Sequence, residues 1–156
     1  MDREALLERL KEPFDLLVLG GGAAFLLLPF TGRLVDRRGY QAALVLGLFL
    51  LALVMARLGT GPHPYELPAA ALLGGLGFSL FLPGWNGLLA KNLPQENRAA
   101  IWGSLMTVEG LGLALGPVAG GLLWEAFGLP APFLAGSGIF LALSLFYLLL
   151  FRVRKL

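Results

Sequence analysis

The sequence predicts an all-α integral membrane protein with five transmembrane helices. Three observations point there. First, nearly charge-free apolar stretches recur along the chain: Phe14–Phe30, Tyr40–Leu58, Leu67–Ala90, Ala99–Leu123 and Ala131–Phe151. Each is in or near the roughly 20 residues needed to cross a hydrocarbon core about 30 Å thick. Second, the loops between them are too short to fold by themselves. Third, 57% of the 156 residues are hydrophobic, only 14% are charged, and the mean hydropathy is +0.77. A water-soluble domain of this size needs more polar groups to cover its surface. In lipid every backbone N–H and C=O must find its partner within its own segment, so the spans are helices.

The elements follow in order. Residues 1–13 form an N-terminal tail in which Leu6, Leu7 and Leu10 recur at helical spacing. That pattern suits an amphipathic helix on the membrane surface, and equally a solvated helical tail. No basic n-region precedes an apolar core there, so it does not read as a cleavable signal. Residues 14–156 form one transmembrane domain, with spans at about 14–34, 40–58, 67–90, 99–124 and 131–151.

Charge sets the expected orientation. If the loop Thr31–Gly39 is cytoplasmic, that side holds Arg33, Arg37, Arg38, Lys91, Arg98, Arg152, Arg154 and Lys155, eight of the twelve basic residues. The positive-inside rule then puts the N-terminus outside and the C-terminus in the cytoplasm of a multi-pass cell (inner) membrane protein. The net charge of +2 is dispersed over short loops, which argues against nucleic acid as a partner. With no cysteine and one histidine, His63, in the turn Gly61-Pro62-His63-Pro64, no metal site or other cofactor is expected.

Glycine shapes the packing. Gly20-Gly21-Gly22, Gly74-Gly75-Gly77 and the glycines from Gly103 to Gly121 lie inside spans. Small residues let membrane helices approach closely. Gly112, Gly116 and Gly120, four apart, make one smooth stripe on the fourth span. Pro117 removes the bond to the Leu113 carbonyl and is expected to kink that helix, as is Pro83-Gly84 in the third.

Several motifs resemble those of a known family. Gly32-Arg33-Leu34-Val35-Asp36-Arg37-Arg38-Gly39 resembles the G-x-L-x-D-R-x-G loop of the major facilitator superfamily of transporters. Gly39 suits a turn, Asp36 suits a helix cap or an arginine partner, and Arg37 and Arg38 suit an anchor at the inner face. Gly103, Gly112, Gly116-Pro117 and Gly120-Gly121 resemble the G-x8-G-x3-G-P-x2-G-G pattern of the fifth helix in that superfamily's antiporters, echoed more loosely in the eleventh. Leu93-Pro94-Gln95-Glu96-Asn97-Arg98-Ala99 is similar to the linker before that helix. The resemblance implies a partial major-facilitator-type bundle, helices two to six or eight to twelve of twelve. Ala71, near where an arginine usually precedes Gly75-Leu76-Gly77, and the basic end after the fifth span favour helices eight to twelve. The complete glycine-proline pattern favours the other half.

Glu109 is the leading candidate for chemistry. It lies eleven residues past Arg98, so about 16 Å into the membrane at the helical rise. An ionisable group at that depth costs about 2.5–3.5 kcal/mol and by default indicates an ion or substrate pathway. Its spacing to Gly112 and Gly116 puts it on the close-packed stripe, facing protein. A carboxyl there is expected to carry a proton, or else to bond a neighbouring helix. Asn86 and Trp85 are the candidates for the substrate path, with an interfacial anchor as the other role for Trp85. Ser79, Ser104, Thr107 and Ser144 are expected to bond their own helices.

The expected function is movement of a small-molecule substrate across the lipid bilayer, driven by an ion (proton) gradient, as an antiporter or efflux protein. No phosphate-binding G-x-x-x-x-G-K-(S/T) loop is present, and no catalytic constellation suggests an enzyme. Transporters of this kind bind substrate between two repeats. Five helices therefore call for a second copy, a separate chain bearing the N-terminal half, or an upstream extension of this one. In the family, the aspartate of the loop motif helps lock the inner gate against the opposite half, so Asp36 and Arg37 need that surface too. The alternative is a non-transporting assembly partner or a truncated remnant.

Overall fold

A computed structural model of the protein describes residues 13–94 and 96–153. The amphipathic reading of the tail, and Arg154 and Lys155, fall outside the described residues. Within them run five long helices: α1 (Pro13–Arg38), α2 (Tyr40–Gly59), α3 (Leu67–Asn92), α4 (Arg98–Phe127) and α5 (Pro130–Val153). A single 3-10 turn, Pro64–Glu66, precedes α3. All five helices are long and apolar enough to cross a membrane.

The turn between α1 and α2 is shorter than expected. Thr31–Arg38 do not form a loop but complete α1, because nothing before Gly39 breaks the helix. Arg37 and Arg38 occupy its last turn, where cations suit the helix dipole. Gly39 alone separates the helices, at φ +90, a region that disfavours any side chain. Asp36 therefore does not cap α2. Gly39 stands at the N-cap, with no side-chain cap bond.

The order of packing differs from the order of the chain. α3 lies against both α1 and α2, and α2 also lies against α5. α1 and α2, though consecutive, touch little. α4 is the outermost helix and packs mainly on α5.

Backbone proximity explains which glycines matter to the bundle. A Cβ at Gly47 would stand 2.5 Å from the Phe81 nitrogen and 2.8 Å from the Gly77 carbonyl oxygen. One at Gly84 would stand 2.7 Å from the Leu44 nitrogen, and one at Gly75 would overlap the Gly20 carbonyl oxygen. α3 thus touches both neighbours through bare backbone, the approach small residues allow in lipid.

Hydroxyls fasten the same interfaces. Thr31 Oγ1 donates to the Ser79 carbonyl at 2.7 Å, joining α1 to α3. That carbonyl is one Pro83 leaves without its normal i+4 donor, so a side chain on a neighbouring helix supplies the missing bond. Ser137 Oγ donates to the Ala52 carbonyl at 2.8 Å and Ser144 Oγ to the Val45 carbonyl at 3.0 Å, joining α5 to α2. Ser79, Ser104 and Thr107 bond within their own helices as expected. Ser144 does not; burial beside α2 gives it a nearer carbonyl there. Each proline-containing helix continues unbroken past its proline.

Leu44 and Leu48 of α2 and Phe151 of α5 form the buried centre, surrounded by Tyr40, Phe81, Trp85 and Tyr147. The Tyr40 and Phe151 rings meet edge-on at 5.9 Å. Charge divides between the two ends. Arg33, Arg37, Arg38, Lys91, Arg98 and Arg152 stand at or near the end where α1, α3 and α5 finish. At the other end Arg57 pairs with Glu66 and donates to Thr60 Oγ1 at 2.8 Å. That pair is exposed on both sides and contributes little to stability.

Candidate functional site

The sequence candidates gather on α4 and on the half of α3 nearest it. α4 meets the bundle near its two ends. Toward its C-terminus, a Cβ on Gly120 would lie 4.0 Å from the Pro132 side chain of α5. Toward its N-terminus, Arg98, Ala99 and Trp102 share an open cleft of about 490 Å³ with Asn86 and Ala90 of α3. Between these anchors, every residue from 106 to 119 is exposed.

Glu109 lies in this uncovered stretch. So do Gly112, Gly116 and Pro117, and neither Gly112 nor Gly116 has any atom within 4 Å of an added Cβ. Gly103 and Gly121 are equally clear. Among the described residues the stripe therefore lies against no other helix. The reason is the outer position of α4, which leaves its middle beyond reach of the other described helices. Pro117 deprives the Leu113 carbonyl of its i+4 donor, as Pro83 does Ser79. Among the described residues no hydroxyl from a neighbouring helix replaces it. A carboxyl and a weakened backbone bond, four residues apart near mid-helix, are costly to leave against hydrocarbon.

Trp85 and Asn86 separate in space. Trp85 is half-buried and stacks on Phe81, ring centres 6.4 Å apart, within the aromatic surround of Leu44 and Leu48. Asn86 is exposed and opens onto the cleft beneath Trp102 and Arg98. Only Asn86 shares a space with α4.

The loop motif lies at the basic end. Asp36 and Arg37 are exposed in the last turns of α1, Gly32 is half-buried with open space beside it, and Gly39 makes the turn. Neither Asp36 nor Arg37 forms an ion pair among the described residues. Lys91 lies over the Tyr40 ring, 5.7 Å from its centre. Sequence reasoning did not find Thr31, Gly47 or Ser137. The signal for Thr31 was present, in the proline four residues after Ser79, but the pairing of α1 with α3 is needed to read it.

Comparison with known proteins adds to this geometry. The family model described as Major Facilitator Superfamily matches residues 15–156. A protein of Staphylococcus epidermidis named proton-coupled antiporter flippase LtaA is 31% identical over 136 residues, which is 84% of this chain and 34% of the relative. The multidrug resistance protein MdtG of Salmonella arizonae is 36% identical over 129 residues, 81% of this chain and 31% of the relative. The chain thus spans about a third of the length of these relatives.

Proposed function

The chain belongs to the major facilitator superfamily and is a multi-pass membrane protein, and on that premise we propose that it forms part of a transporter. It moves a small solute in exchange for protons, with Glu109 as the coupling carboxyl. The observation that carries this reading is an ionisable group well inside a 30-residue helix whose other ionisable residues, Arg98 and Glu125, stand near its two ends. The names of the two relatives, a proton-coupled antiporter and a multidrug resistance protein, support antiport and efflux. Orientation follows the charge: the end with Arg37, Arg38, Lys91, Arg98 and Arg152 faces the cytoplasm.

The uncovered middle of α4 supports a further element of the proposal. The remaining helices of the bundle, whether from a second copy, a separate chain or further sequence of the same protein, cover Glu109 and the glycine stripe and complete the solute path. Asn86, at the cleft shared with α4, lines that path. Asp36 and Arg37 meet the opposite half in the gate.

The test is flux in proteoliposomes under an imposed pH gradient, using the assembled protein extracted from its membrane. Glu109→Gln abolishes proton-driven flux while expression and helical content stay unchanged. Unchanged flux removes Glu109 from the mechanism. Absence of flux in the unaltered assembly, with intact folding, supports the second reading, a membrane assembly partner or remnant.

A further inference from the structure

We propose that the cleft between the end of α1, the start of α2 and the end of α5 binds an anionic phospholipid. The cleft is open and measures about 480 Å³. Arg38 from the end of α1, Gln41 from the first turn of α2 and Arg152 from the last turn of α5 line it at the membrane surface. Val45, Leu46 and Leu148 line it one to two turns further along the helices. The site is therefore amphipathic, with two guanidiniums and an amide at one end and aliphatic wall at the other.

Charge selects the occupant. Among the described residues no carboxylate lines the cleft and neither arginine has an ion pair. Guanidiniums bind phosphate through paired N–H donors, and the Gln41 amide adds a further donor or acceptor for a headgroup. Basic pockets between transmembrane helices on the cytoplasmic side suit anionic headgroups, and this leaflet follows from the orientation proposed above. A free phosphate would satisfy the arginines but leave Val45, Leu46 and Leu148 bare. An acyl chain covers them, so a lipid accounts for both halves of the site.

The test is native mass spectrometry of the detergent-purified full protein with phosphatidylglycerol or phosphatidylcholine. Phosphatidylglycerol is retained preferentially, and Arg38→Gln with Arg152→Gln reduces its retention about tenfold or more, bringing it to the level of phosphatidylcholine. Arg38→Lys with Arg152→Lys keeps most of the preference. Lys91→Gln, which removes a charge at the same end but outside the cleft, leaves it intact. Should the double glutamine variant fail to fold, Leu148→Trp fills the cleft without altering charge and must also lower retention. The proposal is overturned if both glutamine substitutions leave the preference in place, if Lys91→Gln removes as much, or if Leu148→Trp has no effect. Displacement of the lipid by millimolar inorganic phosphate alone would overturn it in favour of a simple anion site. None of these readouts depends on flux, so failure here is separate from failure of Glu109 as the coupling group.

Discussion

Thr31 of α1 gives its hydroxyl proton to the Ser79 carbonyl of α3, the backbone oxygen that Pro83 strips of its helical partner. One side chain thus both repairs a proline defect and joins two helices. Thr31 is buried and Ser79 fully so, which shields the bond from water.

Thr31→Val keeps the shape and removes the donor. The expected loss is about 1 kcal/mol and no more than about 2, with a fall in melting temperature of about 2–4 °C per kcal/mol. Thr31→Ser retains the bond and most of the stability. Thermal unfolding in detergent, followed by circular dichroism, reads both. An unchanged midpoint for the valine variant would mean that Pro83 needs no outside donor.

Two glycines that look alike in sequence have opposite consequences. Gly47→Val drives a side chain into the Phe81 backbone and should cost about 3 kcal/mol or more, seen as lost folded yield. Gly112→Ala meets nothing among the described residues, so its melting temperature holds or rises slightly, because alanine is the better helix former. On the proposed assembly flux should nevertheless fall, because the added methyl would stand in the way of the covering surface. Normal flux would show that α4 does not pack there.

The absence of native cysteine allows a clean topology test. Thr60→Cys and Lys91→Cys place single thiols at opposite ends of the bundle. A membrane-impermeant maleimide applied to intact cells should label the first and spare the second. The reverse result would invert the proposed orientation.

Much of the architecture was legible in the residues. Five helices follow from hydropathy because lipid permits few alternatives to a self-paired segment. The position of Glu109 follows from counting along one helix, since rise per residue is fixed. What the sequence could not supply is adjacency. Gly47 and Gly112 sit in similar apolar surroundings along the chain, and only the neighbouring helix decides which of them is crowded. Thr31 reads as a loop residue until α1 is seen to run on to Arg38. Trp85 and Asn86, consecutive in sequence, turn to different surroundings because a helix advances about 100° per residue.

The single-residue joint at Gly39 has a consequence for assembly. α1 and α2 are tied end to end yet barely touch, because α3 binds both. Neither is held to the other as a self-contained hairpin. The third helix wedges them into register, so the smallest packed unit among the described helices is a trio.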